Sequence, residues 1–108
     1  MNLLRHLLLG AFLLVWASAV HAADPAQGRE LASQCRTCHG IDGVAKIPIA
    51  PHLAGESRIY LETQLKAFRS GKREHEMMSV IAKDLSDEEI SHLAAWYESI
   101  EFSVTLPE

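Results

Sequence analysis

The pattern of apolar and polar positions is clearest near the C-terminus, where it predicts an α-helix. Apolar residues recur there at intervals of three and four positions, which places them on one helical face. They are Ile90, Leu93, Ala94, Tyr97 and Ile100. The residues Ser86 to Glu89, Ser-Asp-Glu-Glu, form a capping box that predicts where this helix begins. Leu85 and Ile90 flank the cap as a hydrophobic staple.

An earlier helix is predicted from the pair Asp24 and Pro25, which has the form of an N-cap followed by the first helical residue. We expect this helix to run to about the first cysteine. Gly28 lies inside it and weakens it by about 1 kcal/mol relative to alanine. We therefore expect another helix to pack closely against Gly28 in compensation.

The middle of the chain predicts a loop and one more helix. Residues 41–55 contain two glycines and two prolines, which is typical of a loop. Residues 57–70 predict a helix that ends at Gly71. Its inward positions are expected to be Ile59, Tyr60, Leu65 and Phe68. After Ile100 the apolar residues alternate with polar ones, which predicts an extended tail with one apolar face from about residue 101. The predicted fold class is all-α.

The first 22 residues have the layout of a secretory signal peptide. Arg5 provides a positively charged start, 14 largely apolar residues run from Leu7 to Val20, and the segment ends in small residues at Ala22. A membrane span needs about 20 apolar residues. We therefore expect cleavage after Ala22, with an uncleaved membrane anchor as the alternative. Residues 23–108 would then form a single exported domain in the periplasm.

Composition narrows the possible functions. The 108 residues include 10 Lys and Arg against 14 Asp and Glu, a net charge of −4, which disfavours a nucleic-acid partner. The two cysteines, Cys35 and Cys38, are too few for a multi-disulfide scaffold or a four-cysteine zinc site.

Both cysteines belong to the sequence Cys-Arg-Thr-Cys-His, which ends at His39. C-x-x-C-H is the attachment motif for c-type haem. Each thiol forms a thioether with one porphyrin vinyl group, and a spacing of three puts Cys35 and Cys38 on one side of a helical turn. His39 follows as the proximal iron ligand. The alternatives are a redox dithiol, which usually follows a strand, a zinc site, which needs more ligands, and a disulfide with a very short loop.

A second axial ligand decides what such a haem does. Histidine and methionine together favour electron transfer, whereas an open position favours binding or activation of a small ligand. Met77 and Met78 lie about forty residues after the motif. Methionine usually fills a core, but a haem that needs a sixth ligand favours ligation by one of these two. His75 is a competing ligand.

The chain resembles the class I c-type cytochromes, in particular single haem domains of bacterial dihaem cytochromes c and the cytochrome subunit of flavocytochrome c sulfide dehydrogenase. The resemblance covers residues 24–100 and rests on five motifs in a fixed order. These are Cys35-Arg36-Thr37-Cys38-His39-Gly40, Pro51-His52-Leu53-Ala54-Gly55, Tyr60-Leu61 with Gln64-Leu65 and Phe68, Met78-Ser79-Val80-Ile81-Ala82, and Leu85-Ser86-Asp87 leading to Leu93-Ala94-Ala95-Trp96-Tyr97.

The resemblance implies a small fold of three to five helices around one covalently attached haem c, with the N- and C-terminal helices crossing. It selects Met78 rather than Met77 as the axial iron ligand beside His39. It also implies that the carbonyl of Pro51 accepts a hydrogen bond from the His39 ring, which would orient the imidazole and raise its basicity.

The resulting hypothesis is an electron carrier that cycles between Fe(III) and Fe(II), not an enzyme. Its partners are expected to be redox proteins. It is either a diffusible carrier that serves a membrane oxidase or reductase, or the haem subunit of a dehydrogenase such as a sulfide-oxidising flavoprotein. The apolar tail and the resemblance favour the subunit. The alternatives are a haem-based small-ligand sensor, a peroxidase-like protein with a labile methionine, and a C-x-x-C dithiol oxidoreductase.

Overall fold

A computed structural model of the protein describes residues 21–108. Its helices are α1 (Pro25–Leu31), α2 (Arg36–His39), α3 (Arg58–Ser70), α4 (Met78–Lys83) and α5 (Asp87–Glu98), and a 3₁₀ turn covers Ala32–Gln34. Residues 21–108 contain no β-strand, which confirms the all-α fold class. Most of the predicted signal peptide, residues 1–20, lies outside the described part of the chain. Among the described helices, none has the length and apolar character that crossing a membrane requires.

Helix α5 begins where the capping box predicted. The Ser86 hydroxyl accepts a hydrogen bond from the Glu89 N–H at 3.1 Å, and the Glu89 carboxylate accepts one from the Ser86 N–H at 2.8 Å. Both bonds satisfy N–H groups that a helix start leaves without a partner. Leu85 and Ile90 are buried on the two sides of this cap, as the staple requires.

Helices α1 and α5 cross in close contact at Gly28. This glycine is buried, and a Cβ atom placed there would collide with the main-chain carbonyl of His92 and lie 2.8 Å from the Trp96 Cβ. At the start of α1, the Asp24 N–H donates to the His92 Nδ1 at 2.8 Å. The expectation of a close helix contact at Gly28 is confirmed, and the missing side chain is what permits it.

The core lies around α5, between the 3₁₀ turn and α3. Its buried residues are Ala32, Leu61, Leu85, Ile90, Leu93, Ala94 and Tyr97. The predicted inward face of α3 was wrong at Ile59, which is 77% exposed. Tyr60 is 49% exposed, but it lines the cavity described below. The buried side chains of this helix are Leu61 and Phe68, with Leu65 packed against the core between them. The spacing of four and three follows one helical stripe, from which Ile59 is displaced.

Two segments without helix complete the fold. The long loop between α2 and α3 is held by short main-chain bonds, including those from the Leu53 and Ala54 N–H groups to the Gly43 carbonyl at 2.8 and 3.1 Å. The C-terminal tail after α5 has neither helix nor strand. Its apolar side chains are exposed, namely Phe102, Val104 and Leu106. Phe102 lies directly beside Gly55 of the loop.

Candidate functional site

The C-x-x-C-H motif forms one compact turn. Cys35 ends the 3₁₀ turn that continues α1, and its carbonyl accepts hydrogen bonds from the N–H groups of Cys38 and His39 at 3.3 and 2.9 Å. Gly40 closes the turn at a φ of 74°, in the region that favours glycine. The motif therefore follows directly from the end of α1.

Both cysteines and His39 line a single cavity of about 360 Å³, within the usual size range of ligand sites. The cavity lies between α2, the long loop, α3, α4 and α5. Most of its lining is apolar. The apolar lining residues are Ile47, Ile49, Ala50, Pro51, Leu53, Leu61, Leu65, Phe68, Ile81, Leu85, Leu93 and Ala94. The polar residues that line it include Gln64 and Arg73.

The ring of His39 has a defined orientation. The residue is 8% exposed, and its Nδ1 lies 2.9 Å from the carbonyl oxygen of Pro51. With Nδ1 donating to this oxygen, Nε2 is the nitrogen that keeps a lone pair for a metal ion. The structure thus places the Pro51 carbonyl beside the imidazole, although the two residues are twelve positions apart in sequence.

Met77 and Met78 both line the same cavity. Met78 is the first residue of α4 and is half-buried, whereas the side chain of Met77 is 53% exposed. His75 also lines the cavity, but its Nδ1 accepts hydrogen bonds from the N–H groups of Met77 and Met78. All five residues expected at the site, Cys35, Cys38, His39, Pro51 and Met78, therefore surround one cavity.

The thiol of Cys35 has the wrong electrostatic environment for a redox dithiol. Burial raises the pKa of Cys35. Reactive dithiols depend instead on a lowered thiol pKa, which supplies the thiolate at neutral pH. Burial also raises the pKa of Tyr97, so its hydroxyl stays protonated and donates to the Gly40 carbonyl at 3.1 Å.

Some contacts of the site were not predicted from the sequence. Tyr97 and Trp96 both tie α5 to the end of the motif, the first through Gly40 and the second through a hydrogen bond from its Nε1 to the Ile41 carbonyl at 2.9 Å. Periodicity identified Tyr97 as a core residue, but no sequence signal indicates the partner of its hydroxyl. These bonds fix the segment that follows His39.

The donor set fits a covalently attached haem. Two thiols one helical turn apart, an adjacent imidazole and a thioether face a largely apolar cavity, and this is the ligand chemistry of c-type haem iron. Within the described residues, no group of three or more His, Cys, Asp and Glu side chains could hold a metal ion directly.

Comparison with known proteins agrees with this chemistry. A family model described as "Cytochrome C oxidase, cbb3-type, subunit III" matches residues 23–96. Cytochrome c-554(548) of Halomonas halodenitrificans is 43% identical over 83 residues, which cover 74% of this chain and 100% of that protein. The cytochrome subunit of sulfide dehydrogenase from Chlorobaculum tepidum is 38% identical over 79 residues, which cover 73% of this chain and 70% of that protein.

Among solved structures, cytochrome c4 of Acidithiobacillus ferrooxidans matches with a TM-score of 0.67 at 31% sequence identity. The match covers 76% of this chain and 52% of that one, so the chain spans about half the length of this neighbour. The structural similarity therefore extends to one cytochrome-like unit.

Proposed function

Because this chain belongs to the cytochrome c family, we propose that it is a monohaem member that passes single electrons between redox proteins in the periplasm. Family membership makes it an electron-transfer protein with covalently bound haem c rather than an enzyme. One C-x-x-C-H motif in the chain supports one haem. The observation that carries the proposal is that Cys35, Cys38, His39 and Met78 line the same cavity.

In this proposal each ligand has a stated role. Cys35 and Cys38 hold the haem through two thioether bonds. His39 would hold the iron through Nε2, because its Nδ1 is occupied by the Pro51 carbonyl. Met78 would hold it through its thioether sulfur, and its smaller exposure favours it over Met77.

When bound, the haem supplies a one-electron Fe(III)/Fe(II) couple. The chain holds the ligands and excludes water. The hydrogen bond to Pro51 orients the imidazole of His39 and increases its basicity. The apolar lining lowers the local dielectric, and a methionine thioether raises the reduction potential. The proposed transfer requires no proton donor or nucleophile from the chain.

The proposal includes export with cleavage after Ala22, which the layout of residues 1–22 supports. Intact-mass measurement of the matured protein tests this directly. A chain that begins at Ala23 and carries the mass of one haem is the expected result. A mass that includes residues 1–22 would instead indicate a retained anchor.

We propose a dehydrogenase subunit as the partner, such as a flavoprotein that oxidises sulfide. Two observations support this choice. The relative from Chlorobaculum tepidum is the cytochrome subunit of sulfide dehydrogenase, and the tail exposes Phe102, Val104 and Leu106. Size-exclusion chromatography of native periplasmic extract, followed by haem absorbance, should place the protein in a larger complex. Elution as a monomer would favour a diffusible carrier.

The central test is an optical one on matured protein. An alkaline pyridine haemochrome assay should show c-type haem, and the ferric protein should show the weak long-wavelength band of a methionine-ligated iron. We predict that Met78→Ala abolishes this band and opens the reduced iron to carbon monoxide, while the haem stays attached, because only the axial sulfur is removed.

Met77→Ala is the matched control and should keep the band. If Met77→Ala abolishes the band and Met78→Ala keeps it, the ligand is Met77. Carbon monoxide binding by the unmodified reduced protein would favour a ligand sensor. A matured protein without haem would contradict the proposal.

A further inference from the structure

The ring of His75 bonds to the main chain of the methionine pair. Its Nδ1 accepts hydrogen bonds from the N–H of Met77 at 3.2 Å and from the N–H of Met78 at 3.3 Å. His75, Met77 and Met78 line the same cavity. The imidazole therefore forms a hydrogen bond with the main chain of Met78, the residue whose side chain is the proposed ligand.

His75 is itself fixed by its surroundings. Its N–H donates to the Ser79 hydroxyl at 3.0 Å, and its carbonyl accepts from the Ser79 N–H at 3.0 Å. The ring also meets the buried ring of Phe68 edge-on, with 6.4 Å between the ring centres. Contacts from helix α3 and from the turn before α4 thus both fix the position of the imidazole.

The two N–H groups bonded by His75 need an outside acceptor. The first N–H groups of a helix have no carbonyl within the helix to bind, and α4 begins at Met78. An acceptor that bonds the N–H groups two and three positions later is the pattern that Asn, Asp and Ser side chains form at turns and caps. His75 satisfies the same pattern with an imidazole nitrogen.

We propose that His75 is a positioning residue for Met78, holding the main chain of the methionine pair so that the Met78 sulfur reaches the iron. The inference rests on the proposed ligation by Met78. It also gives His75 a role other than that of a competing ligand. With Nδ1 accepting two N–H groups, the neutral ring carries its proton on Nε2 and has no lone pair left for iron.

The test compares His75→Ala with His75→Asn in the matured holoprotein, with Glu76→Ala as a control on a neighbouring exposed residue. We expect His75→Ala to weaken the methionine–ferric band and to raise the fraction of reduced protein open to carbon monoxide about fivefold, the effect of a lost cap. Asn restores an acceptor for the same N–H groups, so His75→Asn should recover most of the band. Glu76→Ala should leave it unchanged.

The outcomes separate this inference from the proposed function. An unchanged band in His75→Ala overturns the inference and leaves ligation by Met78 intact. Equal losses in the Ala and Asn variants also overturn it, since an acceptor then has no effect. A band that survives Met78→Ala overturns the ligand assignment, and the inference with it. Haem content and thermal unfolding of each variant show whether the fold is retained.

Discussion

The two proposed iron ligands are held in different ways. His39 is buried and donates to a main-chain carbonyl, that of Pro51, whereas the main chain of Met78 donates to an exposed side chain, that of His75. Any residue at position 51 provides a main-chain carbonyl. At position 75, by contrast, only a side chain that accepts hydrogen bonds can pair with the N–H groups of Met77 and Met78. Substitution of His75 should therefore disturb the hydrogen bond at its ligand more than substitution of Pro51 does.

The surrounding contacts show the same difference. The turn that carries His39 is tied to α5 by hydrogen bonds from Tyr97 and Trp96, across more than fifty residues of sequence. The methionine pair is bonded mainly to residues two to four positions away, such as His75. Regions with few long-range contacts open at lower cost than the core. We therefore expect the segment that carries Met77 and Met78 to unfold locally before the turn that carries His39.

The largest expected effect comes from breaking the crossing that supports the histidine side. Gly28→Ala places a Cβ against the main-chain carbonyl of His92, where neither helix can yield without displacement. We expect a loss of about 2–3 kcal/mol in the free energy of unfolding, measured by denaturant titration of the matured protein. Glu30→Ala, on the exposed part of α1, is the control and should change stability little. Equal stability of Gly28→Ala and wild type would contradict the close packing.

A smaller effect on stability is expected from loss of the ion pair between α3 and α5. The Arg69 guanidinium, 2.5 Å from the Asp87 carboxylate, holds the pKa of Asp87 below its ordinary value of 3.8. The folded state therefore favours the ionised carboxyl. The stabilisation is present above the unfolded pKa and is lost as the pH falls through the lower folded pKa. Because Asp87 is exposed, the contribution is small.

Thermal unfolding as a function of pH measures this contribution. Asp87→Asn should lower the melting temperature slightly at neutral pH, and the curves of variant and wild type should converge below about pH 4. Asp84→Asn makes the same change of charge at an exposed position close in sequence. A constant difference between Asp87→Asn and wild type down to pH 2 would show that the ion pair does not contribute through ionisation.

The smallest effect is expected from Pro51→Ala. Comparing its spectra with those of His75→Ala tests whether the two ligands are held in different ways. Pro51→Ala keeps the main-chain carbonyl that accepts from His39, so the methionine–ferric band and the resistance to carbon monoxide should stay as in wild type. Optical spectra of the ferric and reduced protein check this. A change as large as that in His75→Ala would mean that the proline ring, and not its carbonyl, orients the imidazole.

Much of the helical framework was predictable because its signals are local. The Asp24 N-cap, the Ser86 capping box and the glycine after α3 each depend on residues within a few positions, and the structure contains each of them. The orientation of α3 was less predictable. Apolar residues occur on two sides of that helix, and only the packing of α3 against α5 decides that Leu61 is buried and Ile59 is exposed.

By itself the sequence indicated the haem chemistry of this protein, since C-x-x-C-H is the attachment motif for c-type haem. It also predicted helices α1, α3 and α5, because caps and periodicity are short-range. Only the tertiary structure decided which distant groups meet at the end of the motif, such as Gly40 with Tyr97 and Ile41 with Trp96. The physical reason is that a main-chain carbonyl has no residue signature. Its partner depends on where the chain returns in space.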